Sequence, residues 1–185
     1  YAPRGGPRLF RSLTADSLHK RGYRDAMHAA ALRETVAAGC LALAGVDAAS
    51  TKTVVDPMCG SGTLAIEAAL AARDVAPGLL RAGRFGRCAK KEPSAVRWLD
   101  ADYGAYVAAL DAAMARVRPE PAFRVVASDR NAAALTLARR DLRAAGVLDD
   151  VELRHADAAQ LDISDDGGER VVGERVGERV GELVV

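Results

Sequence analysis

Residues 54–69 read VVDPMCGSGTLAIEAA. Val54 and Val55 are β-branched and apolar, which suits a short buried strand ending at Asp56. Gly60 and Gly62 open a turn whose backbone carries no Cβ. From Thr63 the pattern becomes helical, with Ile66 and Leu70 on one face. A strand, a glycine turn and a helix are the parts from which an open α/β sheet builds a ligand crevice at its carboxyl edge. The identity of that ligand depends on what the turn can tolerate.

A phosphate-binding P-loop needs a lysine directly after its last glycine, and Thr63 follows Gly62, so that reading fails. A dinucleotide turn is harder to dismiss, because Gly60, Gly62 and Ala65 satisfy G-x-G-x-x-A. Asp56 weighs against it. A pyrophosphate beside a carboxylate in a partly dry crevice meets like-charge repulsion. A ligand that carries an ammonium and a sulfonium is attracted instead, and S-adenosylmethionine is such a ligand. Its amino-acid end can lie over the glycines, where close approach is unobstructed.

Further along the chain, two more segments repeat the arrangement. Phe123–Ser128 (FRVVAS) reads as a second strand that ends at Asp129, followed by a helix over Asn131–Ala145 with Gly146 placed for a left-handed cap. Val151–His155 reads as a third strand, followed by Asp157. Strands that alternate with helices predict a parallel sheet covered on both faces. Asp56, Asp129 and Asp157 then share one edge of that sheet. Asp129 is placed to accept from ribose hydroxyls, and Asp157 from an adenine amine. Aspartate also ends strands simply because it favours turns, and only the convergence of all three makes a site. Asp129 lies 67 residues after Gly62, against about 20 in a simple dinucleotide unit. Its place at a strand end assigns it, not its spacing.

The remaining segments fill in the frame. Residues 1–25 form a Pro/Gly/Arg-rich arm, and 26–165 the folded unit. A helix is predicted over Ala26–Ala44 through Leu32, Val36, Cys40 and Leu43. Another over Thr63–Ala76 is closed by Pro77-Gly78, and a third runs over Asp102–Val117 through Tyr106, Leu110 and Met114. Residues 166–185 repeat G-E-R-V at a spacing of four. A glycine in every turn costs a helix about 1 kcal/mol each relative to alanine, which predicts a weakly ordered tail.

The bulk numbers bound the answer. The 185 residues suffice for one domain with a substantial core. No apolar run approaches the roughly 20 residues that span a bilayer, so no membrane partner is expected. The sequence opens on Tyr1 and therefore says nothing about a targeting segment. Cys40, Cys59 and Cys88 are too scattered for a disulfide framework or a zinc site, and a reducing compartment is expected. The net charge of +1 hides an uneven distribution. Residues 1–33 carry seven Arg and Lys against Asp16 and Asp25, and residues 81–97 carry six against Glu92. Such patches suit a phosphate backbone, or are ordinary solvated faces.

The block DPMCGSGTLAIEAALAARDVAPGLLR, preceded by SLHKRGYR and ALRETVAA, resembles the RNA guanine-N2 methyltransferases of the ribosomal large-subunit K/L type and their THUMP-linked relatives. The similarity runs from about Leu13 to Leu161. The DPMCGSGT block and the LHKRGYR arm are specific to that group, whereas ASDRN and HADA are shared by class I methyltransferases generally. The resemblance implies a class I Rossmann-like α/β fold, a parallel-strand sheet flanked by helices, incomplete at its C-terminus. It implies S-adenosylmethionine as methyl donor and structured, ribosomal RNA as substrate. Carried over by motif, Asp56, Pro57, Cys59, Gly60, Ser61, Gly62 and Thr63 line the methionine side. Asp129 with Arg130 takes the ribose, and Asp157 with Ala158 the adenine.

Two departures bear on activity. Relatives carry a THUMP domain ahead of this module, which these residues do not include. They also carry an N/D-P-P-aromatic motif at the end of the fourth strand, expected soon after Asp157, where it accepts hydrogen bonds from the target amine and stacks on the flipped base. This sequence contains no such stretch, and the catalytic residues stay unassigned. Two alternatives remain: a catalytically inactive module that binds cofactor or RNA, and a nicotinamide-dependent oxidoreductase. For the arm, Lys20, Arg21, Tyr23 and Arg24 either clamp RNA or pack on the first helix.

Overall fold

The computed structural model describes residues 10–14, 16–24, 32–88, 90–161 and the backbone of a strand at 182–184. The first nine residues, the predicted helix start at 26–31 and the GERV repeats up to 181 lie outside the described residues.

Four parallel strands form one sheet in the order β3-β2-β1-β4, with β1 at Thr53–Asp56, β2 at Arg124–Asp129, β3 at Val151–His155 and β4 at Glu182–Val184. Strand β1 pairs with β2 from Thr53↔Arg124 to Asp56↔Ala127, and β2 pairs with β3 from Val125↔Val151 to Asp129↔His155. Successive residues of a strand face opposite sides of the sheet. Val54, Val125 and Ala127 join the main apolar cluster, packed under Ile66, Leu70 and Leu142 from the helices. Val55 and Val126, on the other side, are just as buried. Burial on both faces explains why these strands read as unbroken apolar runs.

The helices are α1 (Glu34–Leu43), α2 (Thr63–Ala72), α3 (Pro77–Arg81), α4 (Tyr103–Arg116) and α5 (Ala132–Ala145). Capping sets their ends. Asp102 accepts from the Ala105 amide at 2.8 Å to start α4, Asn131 accepts from Ala133 at 3.0 Å to start α5, and Gly146 closes α5 in the left-handed conformation.

Three expectations need correction. Helix α2 ends at Ala72, and Pro77 opens α3 instead of closing α2. Proline's missing N–H and fixed φ cost nothing in a first turn, and Asp74, at φ 52°, makes the break. Helix α1 starts at Glu34, because Arg33 is extended. It also buries a different face: Leu32, Val36, Cys40 and Leu43 are exposed, while Glu34, Ala37 and Leu41 are buried. Its neighbour α2 is alanine-rich, so small residues bring the two backbones close. The end of the tail is not loose, since Glu182–Val184 pairs with β1 from Thr53↔Glu182 to Val55↔Val184. Without it the outer edge of β1 would leave ladder groups unpaired. Among the described residues, no helix is long and apolar enough to cross a membrane.

Candidate functional site

Asp56 ends β1, Asp129 ends β2, and Asp157 follows β3 by two residues. All three stand at the carboxyl edge of parallel strands, as expected. With strands about 4.8 Å apart, β1 and β3 are separated by about 10 Å across the edge.

The glycine turn is stitched to the end of β2. The Cys59 amide donates to the Ser128 carbonyl at 2.9 Å, the Ser128 hydroxyl donates to the Pro57 carbonyl at 3.2 Å, and the Gly60 amide donates to Asp129 Oδ2 at 2.9 Å. Within the turn, the Gly62 amide donates to the Cys59 carbonyl at 2.7 Å. Gly62 has φ 80°, and a Cβ there would meet the Ala138 Cβ at 3.2 Å, so this glycine lets α5 approach α2. Gly60 has φ 55° and nothing within 4 Å of where its Cβ would stand. That open space above bare backbone is where a ligand can approach. Ser61 beside it is half-buried, and Thr63 is buried as the first residue of α2.

Asp56 is 7% exposed, and its recorded hydrogen bond is a long one, 3.3 Å from the Met58 amide. Among the described residues it forms no ion pair. Burial pushes its carboxyl up to about 6, the Met58 amide opposes this, and the charge of Asp129 adds to it. A buried acid with no cationic partner is costly, and a cationic ligand removes that cost. Burial pushes the Cys59 thiol up to about 12, helped by Asp56 and Asp129, so it stays a thiol and is no nucleophile at neutral pH.

Asp129 Oδ1 accepts from the Asn131 amide at 2.8 Å while Oδ2 holds Gly60, and each oxygen keeps a second lone pair for a ligand hydroxyl. The Arg130 carbonyl lies 2.9 Å from His155 Nε2, which ties the β2 exit to the β3 exit. Asp157 is exposed and accepts from the Ala159 amide at 3.0 Å, capping a short 3-10 turn that begins at Ala158. Two concavities, of about 400 and 700 Å³, lie away from the turn, one between the arm and residues 90–97 and one at the entry ends of the strands.

The arm is different. Tyr23 is 2% exposed and Arg21 8%. Arg21 donates through Nε and Nη2 to Glu67 at 3.3 and 3.1 Å, and the Tyr23 hydroxyl donates to the same carboxylate at 3.1 Å. Arg24 is turned inward, 4.0 Å from Asp141, and donates to the Leu32 carbonyl at 2.9 Å. Of the two roles left open for this segment, the side chains of Arg21, Tyr23 and Arg24 take a packing one, but their partners Glu67 and Asp141 lie on α2 and α5 and not on the first helix. Only Lys20 stays exposed. The Glu67 anchor was missed in the sequence, although it is the only charged residue in an otherwise apolar α2.

Residues 21–179 match the family described as UPF0020, RMKL-like, methyltransferase domain. A relative from Shewanella baltica (strain OS185), the ribosomal RNA large subunit methyltransferase K/L, is 36% identical over 173 residues. The match covers 90% of this chain and 23% of the relative, so the chain spans under a quarter of that protein's length. Among solved structures, a possible methylase from Clostridium difficile 630 superposes with a TM-score of 0.70 at 33% identity, covering 84% of this chain and 38% of the other. SMU.472, described as a methyltransferase and crystallised with SAH, gives a TM-score of 0.70 at 26% identity, covering 83% and 37%. The chain belongs to the UPF0020 family of RMKL-like methyltransferase domains.

Proposed function

We propose that this chain is the S-adenosylmethionine-binding part of an enzyme that methylates an exocyclic guanine amine of structured, ribosomal RNA. The observation that carries the reading is Asp56, a buried acid with no cationic partner among the described residues, beside the open backbone of Gly60. The name of the Shewanella relative supports ribosomal RNA as substrate, and the SAH complex of SMU.472 supports the donor.

In this reading the bound donor supplies an electrophilic methyl on a sulfonium, transferred in line to the amine nitrogen. Asp56 faces the cationic amino-acid end, and Pro57, Cys59, Gly60, Ser61, Gly62 and Thr63 shape the bed beneath it. Asp129 accepts from the ribose while its grip on Gly60 keeps the turn in place, and Arg130 flanks it. Asp157 and Ala158 border the adenine. With no thiolate at Cys59, the chain contributes positioning and charge, not covalent catalysis. No N/D-P-P-aromatic stretch is available in these residues to hold the target amine.

Calorimetry with S-adenosylhomocysteine and with NAD tests the donor assignment. The first binds and the second does not, and the reverse result would establish the nicotinamide reading instead. Purified 1–185 transfers little or no methyl to ribosomal RNA, and rapid turnover by it would show that the amine is held by other residues.

A further inference from the structure

The two basic segments are far apart in sequence, but the fold joins them. The Ser94 hydroxyl donates to the Ser12 carbonyl at 2.9 Å, and the Ala95 amide to the Leu13 carbonyl at 3.1 Å. Arg81, itself buried, donates from Nη1 to the carbonyls of Ser17 and Lys20 at 3.1 and 3.0 Å. The arm is thereby fixed along residues 81–98. Between them lies a concavity of about 400 Å³ lined by Asp16, Lys90, Lys91, Glu92, Ser94 and Arg97. Next to Arg97, the Arg11 guanidinium lies 3.4 Å over the ring of Trp98.

We propose that this composite surface, carried by Arg11, Lys90, Lys91 and Arg97, docks the phosphate backbone of structured RNA. The proposal rests on the RNA reading above. Its acids do not close it to phosphate. Lys91 meets Asp16 at 3.5 Å, Lys90 meets Glu92 at 2.9 Å and Arg11 meets Asp100 at 3.5 Å, but the three cations are all about half exposed. Exposed ion pairs are weak and screened by salt, so a phosphate can displace the carboxylates. The guanidinium-covered Trp98 offers a flat edge for a base that leaves the helix. Neither segment could form this surface alone, since each contributes one wall.

The test compares two charge reversals of equal size, Lys91→Glu/Arg97→Glu on the surface and Arg116→Glu/Arg139→Glu on exposed parts of α4 and α5. The probe is an in vitro transcribed stem-loop of large-subunit ribosomal RNA, titrated over a range of salt, with S-adenosylhomocysteine calorimetry on each protein. The surface variant loses RNA affinity about tenfold or more, and its log–log salt slope flattens by about 2. Its S-adenosylhomocysteine affinity and melting temperature hold. Unchanged RNA affinity in the surface variant, or an equal loss in the distant one, would overturn the surface. If the unmodified chain binds S-adenosylhomocysteine but no RNA at any salt, the RNA reading itself fails, and the surface with it.

Discussion

Two buried acids flank the glycine turn: Asp56, which ends β1 ahead of it, and Glu67, one turn inside α2. Both are nearly inaccessible, at 7% and 5%, and burial raises the pKa of both. Glu67 receives two guanidinium N–H groups and a phenol from the arm. Asp56 receives one long amide contact and faces open backbone. The contrast separates a structural charge from a functional one. A buried carboxylate whose partners come from the same chain holds the fold together, and one left without a counter-charge is set up for a ligand.

The largest effect expected from breaking this contrast is at the latch. Glu67→Ala leaves Arg21 buried without its partner and costs about 3–5 kcal/mol, read as a lower urea midpoint. Replacing both, Arg21→Met with Glu67→Met, recovers much of that loss, because no charge then needs desolvation. At a temperature where Glu67→Ala is still folded, its S-adenosylhomocysteine affinity matches that of the unaltered chain. A matching loss of affinity would show the latch and the site to be one unit.

Asp56→Asn should do the opposite. Its folded-state pKa of about 6 lies above the ordinary 3.8, so the folded protein holds that proton more tightly than the unfolded chain. The stability this confers is complete below about pH 4, fades as pH rises through about 6, and is absent above. Asparagine has no such charge, so at pH 8 the variant is more stable by up to about 3 kcal/mol in the urea midpoint. It loses S-adenosylhomocysteine binding at the same time. A variant both less stable and still able to bind would dissolve the distinction.

The same carboxyl gives the bound state a pH signature. A cationic ligand prefers ionised Asp56, so affinity in calorimetry weakens by nearly tenfold per pH unit below about 6 and is level above it. A flat profile from pH 5 to 8 would remove Asp56 from the contact. The smallest change belongs to the frame around the site. Asn131→Ala removes the cap of α5 and costs about 1 kcal/mol in the same urea assay, with little change in affinity.

Much of the edge was legible beforehand, because it depends on local chemistry. Strands β1 to β3, the left-handed cap of α5 at Gly146, and the three aspartates at strand ends all follow from β-branched runs, turn-favouring acids and glycine positions. The packing of α1 was not legible. Its apolar spacing pointed to Leu32, Val36, Cys40 and Leu43, yet a helix buries the face that its neighbour can accept, and alanine-rich α2 accepts Ala37 and Leu41. The arm could not be decided either, since Arg21 and Tyr23 suit RNA and carboxylate equally well. Only the position of Glu67, 46 residues after Arg21, chooses between them. Strand β4 was hidden for a related reason, because a three-residue segment after a repeat becomes a strand only when an open edge lies beside it.

The amino-acid sequence alone determined the turn, the ligand charge it favours and the family pattern, because each depends on residues within a few positions of one another. The tertiary structure decided which charges are satisfied. Partners come from distant segments, and only the folded chain shows that Glu67 has them among the described residues and Asp56 does not.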